Sequence, residues 1–167
     1  VYFGSFDRKF YAVDKTTGED AWAEPFAGGN WFWTTAVADG GTIYVGCLDH
    51  KVYALDAASG TLKCSFTTDS SIMAPPVLAD RPGDDDVLGT ADDEPILIVA
   101  TSNGSVYGLD PVDLSNDQWA SHTSVNQPIQ SPMGVYGEFV YVYGTMSKLA
   151  AVRVNNGTAA WTTNTAE

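Results

Sequence analysis

Basic residues are scarce in this chain. Eight Lys and Arg against 21 Asp and Glu in 167 residues leave a formal charge of −13, which excludes the cation-rich surface that binds nucleic acid through its phosphates. No run of about 18 apolar residues is present to cross a bilayer, and no basic-then-apolar leader opens the chain. No stretch holds helical apolar spacing over three turns. What is present is a core-forming composition: 44% hydrophobic, 12% aromatic and 17% charged, outside the range of disordered chains. Val1 already reads as strand, so the chain is expected to be a piece of a longer protein. Excess acid with few lysines fits a periplasmic, secreted or salt-adapted protein, and an extracytoplasmic location is the expectation.

One pattern occurs four times: an apolar strand, a tight polar turn, a second apolar strand ending in Asp, then a Gly turn and a Trp. The copies run from Tyr2 to Trp22, Tyr44 to Cys64, Ile98 to Trp119 and Tyr141 to Trp161. Taking Asp14, Asp56, Asp110 and Arg153 as equivalent, the offsets are 42, 54 and 43. A period near 42 is that of one four-stranded propeller blade, about 40 to 45 residues. In the third strand of a copy, Val52 and Ala54 on one face and Tyr53 and Leu55 on the other are all apolar, so both faces are expected to be buried. The fold class that follows is all-β: a propeller of about four blades over residues 1–167, the first lacking its innermost strand. It could be half of an eight-bladed ring completed by a second copy. Small-residue stretches at Thr34–Val37, Ala74–Val77 and Gln130–Met133 are expected to open the innermost strands, and Asn103-Gly104 to form a type I′ turn.

The stretch Ala12-Val13-Asp14-Lys15-Thr16-Thr17-Gly18-Glu19-Asp20-Ala21-Trp22 fits every position of AxDxxTGxxxW and resembles the repeat signature of the pyrroloquinoline-quinone-type (quinoprotein-like) β-propellers. Ala54, Asp56 and Gly60 keep it in the second copy, with Cys64 in place of Trp. Asp110 and Trp119 keep it in the third, and Ala151, Gly157 and Trp161 in the fourth. Asp can cap the turn, Gly supplies a left-handed residue, and Trp lies across the neighbouring sheet. The resemblance assigns the same docking role to Ala12, Asp14, Gly18, Trp22, Trp119 and Trp161. In repeat type the chain also resembles the propeller lipoproteins of outer-membrane assembly, without a residue that identifies that pathway.

Three features carry candidate chemistry. The third repeat is 12 residues longer than the first, and most of the excess lies in Asp80–Glu94, which holds seven acids and one Arg. Asp84, Asp86 and Asp92 fall on positions 1, 3 and 9 of a twelve-residue calcium loop, with Asp93 or Glu94 as substitutes for the closing carboxylate. Leu88 and Pro95 break that pattern, and a solvated acidic loop is the alternative. Trp31-Phe32-Trp33 beside Asn30 lies where the outer strand of one blade leads to the inner strand of the next. It reads either as a stacking site for a ligand (Asn30, Trp31, Trp33) or as a hydrophobic plug between blades. Cys47 and Cys64 should lie about 9 to 10 Å apart, across two strand spacings, too far for a disulfide, and are expected as buried free thiols.

The quinone-dependent dehydrogenases that the resemblance brings to mind carry adjacent cysteines over the cofactor, which this chain lacks, so pyrroloquinoline quinone is not expected. His50 and His122 stand near no nucleophile motif, and no catalytic residue is assigned. The function expected is a non-catalytic scaffold, sensory module or binding module for protein or peptide partners. The alternative is a fragment of a quinone-dependent dehydrogenase whose active-site blades lie elsewhere.

Overall fold

A computed structural model describes residues 1–83, 87–114, 118–119 and 122–164. Among them every regular element is a strand, as the missing helical periodicity implies. The first sheet has three strands, β1 (Tyr2–Gly4), β2 (Lys9–Ala12) and β3 (Phe26–Ala27). The second has β4 (Val37–Asp39), β5 (Thr42–Gly46), β6 (Lys51–Asp56) and β7 (Leu62–Thr67). The third has β8 (Val77–Arg81), β9 (Glu94–Ala100), β10 (Ser105–Leu109) and β11 (Thr123–Ser124). The fourth has β12 (Gly134–Tyr136), β13 (Phe139–Gly144), β14 (Lys148–Arg153) and β15 (Ala159–Asn164). Within each sheet the strands are antiparallel and follow chain order. The first sheet enters at the second position: Gly4 pairs with Phe10 as Gly46 pairs with Val52. Its innermost strand is missing, as the repeat alignment requires.

The two faces of one strand serve two different cores. Tyr53 and Leu55 pack with Phe10, Ala12 and Trp22 of the first sheet. Val52 and Ala54 pack with Leu97, Val99, Tyr107 and Leu109 of the third. A sheet apolar on both faces is stable only between two neighbours, which is why these sheets stack as blades instead of lying on water. Each linker adds a buried plug, Phe32, Ile72 or Ile129. Room for the first two comes from glycine: a Cβ on Gly4 would lie 2.3 Å from Phe32, and one on Gly46 2.2 Å from Ile72.

Two local expectations need correction. The innermost strands begin at Val77, the last residue of its small-residue stretch, and at Gly134, just after the other, because Pro75, Pro76 and Pro132 have no N–H for a ladder. In the second blade Thr34–Ala36 is likewise linker and only Val37 is strand. The Asn103-Gly104 hairpin is not type I′, since only Gly104 has a positive φ, 97°. Arg8, His50 and Ser147 hold the same left-handed position in the other blades. The residue before it closes the turn instead: Asp7, Asp49 and Asn103 accept the amides of Lys9, Lys51 and Ser105.

The blade-to-blade joint is a ring laid on a turn. Trp22 is 5% exposed and Trp119 3% exposed. The Trp22 indole N–H donates to Ala57 O at 3.0 Å, and that of Trp119 to Val154 O at 2.8 Å. The turn residue under each ring is glycine because nothing larger fits: a Cβ on Gly60 would lie 2.6 Å from the Trp22 ring, and one on Gly157 2.4 Å from the Trp119 ring. The joint between the second and third blades reverses the sizes. Cys64 stands where Trp is usual, and Leu114 stands where Gly is usual, its amide donating to Asp110 O at 3.0 Å as Gly60 does to Asp56 O at 2.8 Å. Leu114 keeps the left-handed φ, 53°, and is fully buried in the core that Cys64 borders. A small knob facing a large socket preserves the volume at the joint.

That exchange predicts coupled mutations. Cys64→Trp alone overfills the joint, at a cost of about 1–3 kcal/mol, and Leu114→Gly alone leaves a cavity, at about 2–4 kcal/mol after relief of the left-handed strain. The double variant should recover at least about 1 kcal/mol relative to the sum in denaturant melts. Strict additivity would show that the two positions do not share one space.

Candidate functional site

Strand direction sorts the loops into two ends. The hairpins joining β1 to β2, β5 to β6, β9 to β10 and β13 to β14 lie at one end, together with the linkers between blades. The Asp–Gly turns and the β8–β9 insertion lie at the other. The aromatic segment and the acidic segment are therefore on opposite ends of the molecule.

At the hairpin end, Trp31-Phe32-Trp33 alternates. Phe32 is buried against Phe10, Phe26 and Tyr53, so the plug and the exposed platform are both present, on alternate residues. Trp31 is 42% and Trp33 51% exposed, and Phe6 from the β1–β2 hairpin, 59% exposed, joins them. The Phe6 ring centroid is 5.1 Å from that of Trp31 and 5.3 Å from that of Trp33, stacked on the latter. Phe6 carries no motif, and it was legible only through topology, which brings that hairpin and that linker to one end.

The backbone beneath these rings is fixed. Leu48 N–H donates to Trp31 O at 3.0 Å, Phe32 N–H to Ser5 O at 3.3 Å, and Gly29 N–H to the Asp49 carboxylate at 2.8 Å. Asn30 is turned inward on the segment: its Oδ1 accepts the Trp31 amide at 2.9 Å, and its carbonyl accepts the Cys47 thiol at 3.2 Å. Asn30 therefore braces the platform. Burial pushes the Cys47 thiol up to about 11, so it stays protonated and donates. Cys47 and Cys64 are both free thiols, as expected, but Cys64 is only half-buried.

A pair unseen in the sequence recurs at this end. Tyr11 donates to Asp7 and Tyr53 to Asp49, each at 2.5 Å. The hydrogen bond from Tyr11 holds the Asp7 carboxyl below its usual range, and burial raises the Tyr53 phenol. The signal was available as Asp-x-Lys-x-Tyr at residues 7–11 and 49–53.

At the opposite end, Asp84 and Asp86 lie outside the described residues. Of the other acids in the insertion, Glu94 pairs with Arg81, Asp92 accepts the Thr90 hydroxyl at 2.6 Å, and Asp93 accepts the Gly89 amide at 2.7 Å. Asp92, Asp93 and Glu94 thus each have a donor from the protein, and no group of three or more His, Cys, Asp or Glu converges among the described residues. The docking carboxylates at this end cap their turns: Asp14 accepts the amides of Thr16 and Thr17 at 2.7 and 3.0 Å, and Asp56 accepts the Ser59 hydroxyl at 2.8 Å and its amide at 2.9 Å. Those hydrogen bonds, Thr17 first for Asp14 and Ser59 first for Asp56, lower both carboxyls.

Of the docking residues, Ala12, Trp22 and Trp119 are buried between blades. Trp161 is not: it is 45% exposed. Gly18 is the matching socket without a knob, since a Cβ there would meet nothing within 4 Å.

The family model described as outer membrane protein assembly factor BamB, a model of pyrroloquinoline-quinone-type repeats, matches residues 7–167. Among solved structures, the computationally designed Ika8 protein is similar over 97% of this chain and 45% of its own, at 10% identity and a TM-score of 0.77. BamB from Moraxella catarrhalis is similar over 98% of this chain and 44% of its own, at 19% identity and a TM-score of 0.70. These likenesses show the fold alone, and this chain spans less than half the length of either structure. No curated relative matches the sequence. Among the described residues no helix is long and apolar enough to cross a membrane. Matched over nearly its whole length and built from repeated Trp-on-turn joints, the chain belongs to the BamB family of β-propellers.

Proposed function

We propose that this chain is a non-catalytic propeller module that binds protein or peptide partners through the platform of Phe6, Trp31 and Trp33, in an extracytoplasmic setting. The carrying observation is the exposure of three large rings on a backbone that is already fixed. Rigid aromatic side chains supply contact area with little entropy to lose and are the commonest anchors of binding energy. Asp7 and Asp49 flank the platform, and the chain carries a charge of −13, so the partner chemistry favoured is a basic segment with an apolar or aromatic anchor. Arg and Lys are attracted both to the field and to the ring faces. Membership of the BamB family supports a role in protein assembly in the same setting.

Peptides selected from a random library on the wild-type chain should be rich in Arg or Lys beside an aromatic residue. Their affinity should fall at least tenfold, about 1.4 kcal/mol, in Trp31→Ala and in Trp33→Ala, while stability shifts by about 0.5 kcal/mol or less. No enrichment, or selected peptides indifferent to both substitutions, would remove the platform as a binding site.

Calcium at the acidic insertion is a separate proposal that rests on the charge run with Asp84, Asp86, Asp92, Asp93 and Glu94. Ligand linkage requires that a folded-state ion raise the melting temperature. Melting in millimolar calcium should then exceed melting in excess chelator, and equal temperatures would withdraw the ion.

A further inference from the structure

We propose that the end of the molecule opposite the platform carries a second docking site, a trough across blades 2 and 3 that takes an extended peptide segment bearing an Arg or Lys beside an aliphatic or proline residue. It uses none of the platform's residues and stands independently of that reading. Blades 1 and 4 flank the pair, so both walls of the trough are interior to the chain.

Blade 3 is apolar where its turns reach this end. In the strand register, Pro95 stands where blade 2 has Gly41 and blade 4 has Glu138. In the Asp–Gly turn, Pro111 and Val112 stand where blade 2 has Ala57 and Ala58 and blade 4 has Val154 and Asn155. Val112, at the tip of that turn, is 84% exposed, and Pro95 is exposed as well. Neither serves the joint below, which Leu114 fills and the Tyr44 hydroxyl ties to Pro111 O. Apolar side chains gathered at a surface without an internal role mark a place of contact.

These side chains line a continuous depression. Between blades 2 and 3, a hollow of about 310 Å³ is bounded by Pro95, Pro111 and Val112 from blade 3 and by Asp39, Thr42 and Tyr44 from blade 2. A second, of about 190 Å³, continues from it past Asp39 and Pro95 to Leu78, Ala79 and Asp80 on the innermost strand of blade 3. A third, of about 290 Å³, opens from Pro95, Pro111 and Val112 toward Glu94 and Asp110. All three share Pro95 and form one trough. Crossing one sheet spacing of about 10 Å takes three to four extended residues at about 3.3 Å each.

The rim sets the sign of the charge. Its two bases are already engaged: Lys63 donates to Gly41 O at 3.3 Å and to Thr42 Oγ1 at 2.7 Å, and Arg81 pairs with Glu94. Asp110 is turned onto its own loop, accepting the Val112 amide at 2.7 Å. Asp39 and Asp80 form no ion pair among the described residues, and their carboxylates stand beside the apolar floor. An apolar floor with anionic walls is complementary to a side chain with an apolar stem and a cationic tip, which is that of Lys or Arg. An adjoining aliphatic or proline residue covers Val112 and Pro95.

Random peptides of about eight residues, twice the span of the trough, should be selected on the variant carrying Trp31→Ala and Trp33→Ala, which lacks the platform's indoles. Enriched sequences should place Arg or Lys next to Pro, Val or Leu. Their affinity should fall at least about tenfold in Val112→Asn and in Asp39→Asn, and added salt should weaken it. Both substitutions should leave the melting temperature unchanged, since Asn155 already occupies the turn tip of blade 4 and both side chains are exposed. On the unsubstituted chain, the amide resonances displaced by a selected peptide should be those of residues 39–44 and 112–114. No enrichment, enrichment of acidic peptides, affinity indifferent to both substitutions, or resonance shifts confined to Phe6 and Trp31–Trp33 would each overturn the trough. Because the selection is made without the platform's indoles, its failure leaves the platform standing, and failure of the platform leaves the trough standing.

Discussion

An indole laid on the glycine of the next blade is the contact on which the rest of the structure depends. Each sheet is apolar on both faces and unstable alone, and four strands with a narrow core do not fix their own angle to a neighbour. The ring does so with two constraints at once. Its flat face needs a turn without a side chain, and its N–H needs one particular carbonyl, Ala57 O or Val154 O. Burial of the ring supplies the energy, and the hydrogen bond supplies the register.

Because the constraint is one of summed volume, it can be met in reverse. Cys64 and Leu114 divide the same space the other way, and of the two hydrogen bonds that Tyr2 and Trp22 make to Ala57 O only the tyrosine's is kept, the Tyr44 hydroxyl donating to Pro111 O at 2.9 Å. The second and third blades thus keep their joint without the usual Trp and Gly. At this joint the protein conserves a shape, and the residue types in the motif are one way of filling it.

Much of this was legible in the sequence. The 42-residue period, the Asp–Gly–Trp spacing and the apolar residues on both faces of Val52–Leu55 led to blades directly. The buried positions of Trp22 and Trp119 followed from chemistry that acts within a few residues of each motif. What stayed hidden depended on other blades. Leu114 reads as an ordinary turn departure until its left-handed φ and the small Cys64 are seen together. Phe6 joins Trp31 and Trp33 only through the end-to-end sorting of hairpins and linkers. Linker and strand were confused where prolines adjoin apolar residues, as at Pro75 and Pro76, since composition marks the apolar run but not its missing donors. Trp161 bears the docking motif and docks on no blade among the described residues, because a motif specifies a knob and not the presence of its socket.

The platform and the joints then follow from one arrangement. Rings that face a neighbouring blade become structure, and rings that face away, such as Trp31 and Trp33, become surface available for recognition. The most direct measurement is hydrogen exchange at the indole N–H groups, resolved by NMR on the folded chain. Protection of Trp22 and Trp119 to the level of the most stable backbone amides, with Trp31 and Trp33 exchanging at nearly solvent rates, is the result this account predicts. Rapid exchange at Trp22 and Trp119 in a chain that is otherwise folded would contradict it.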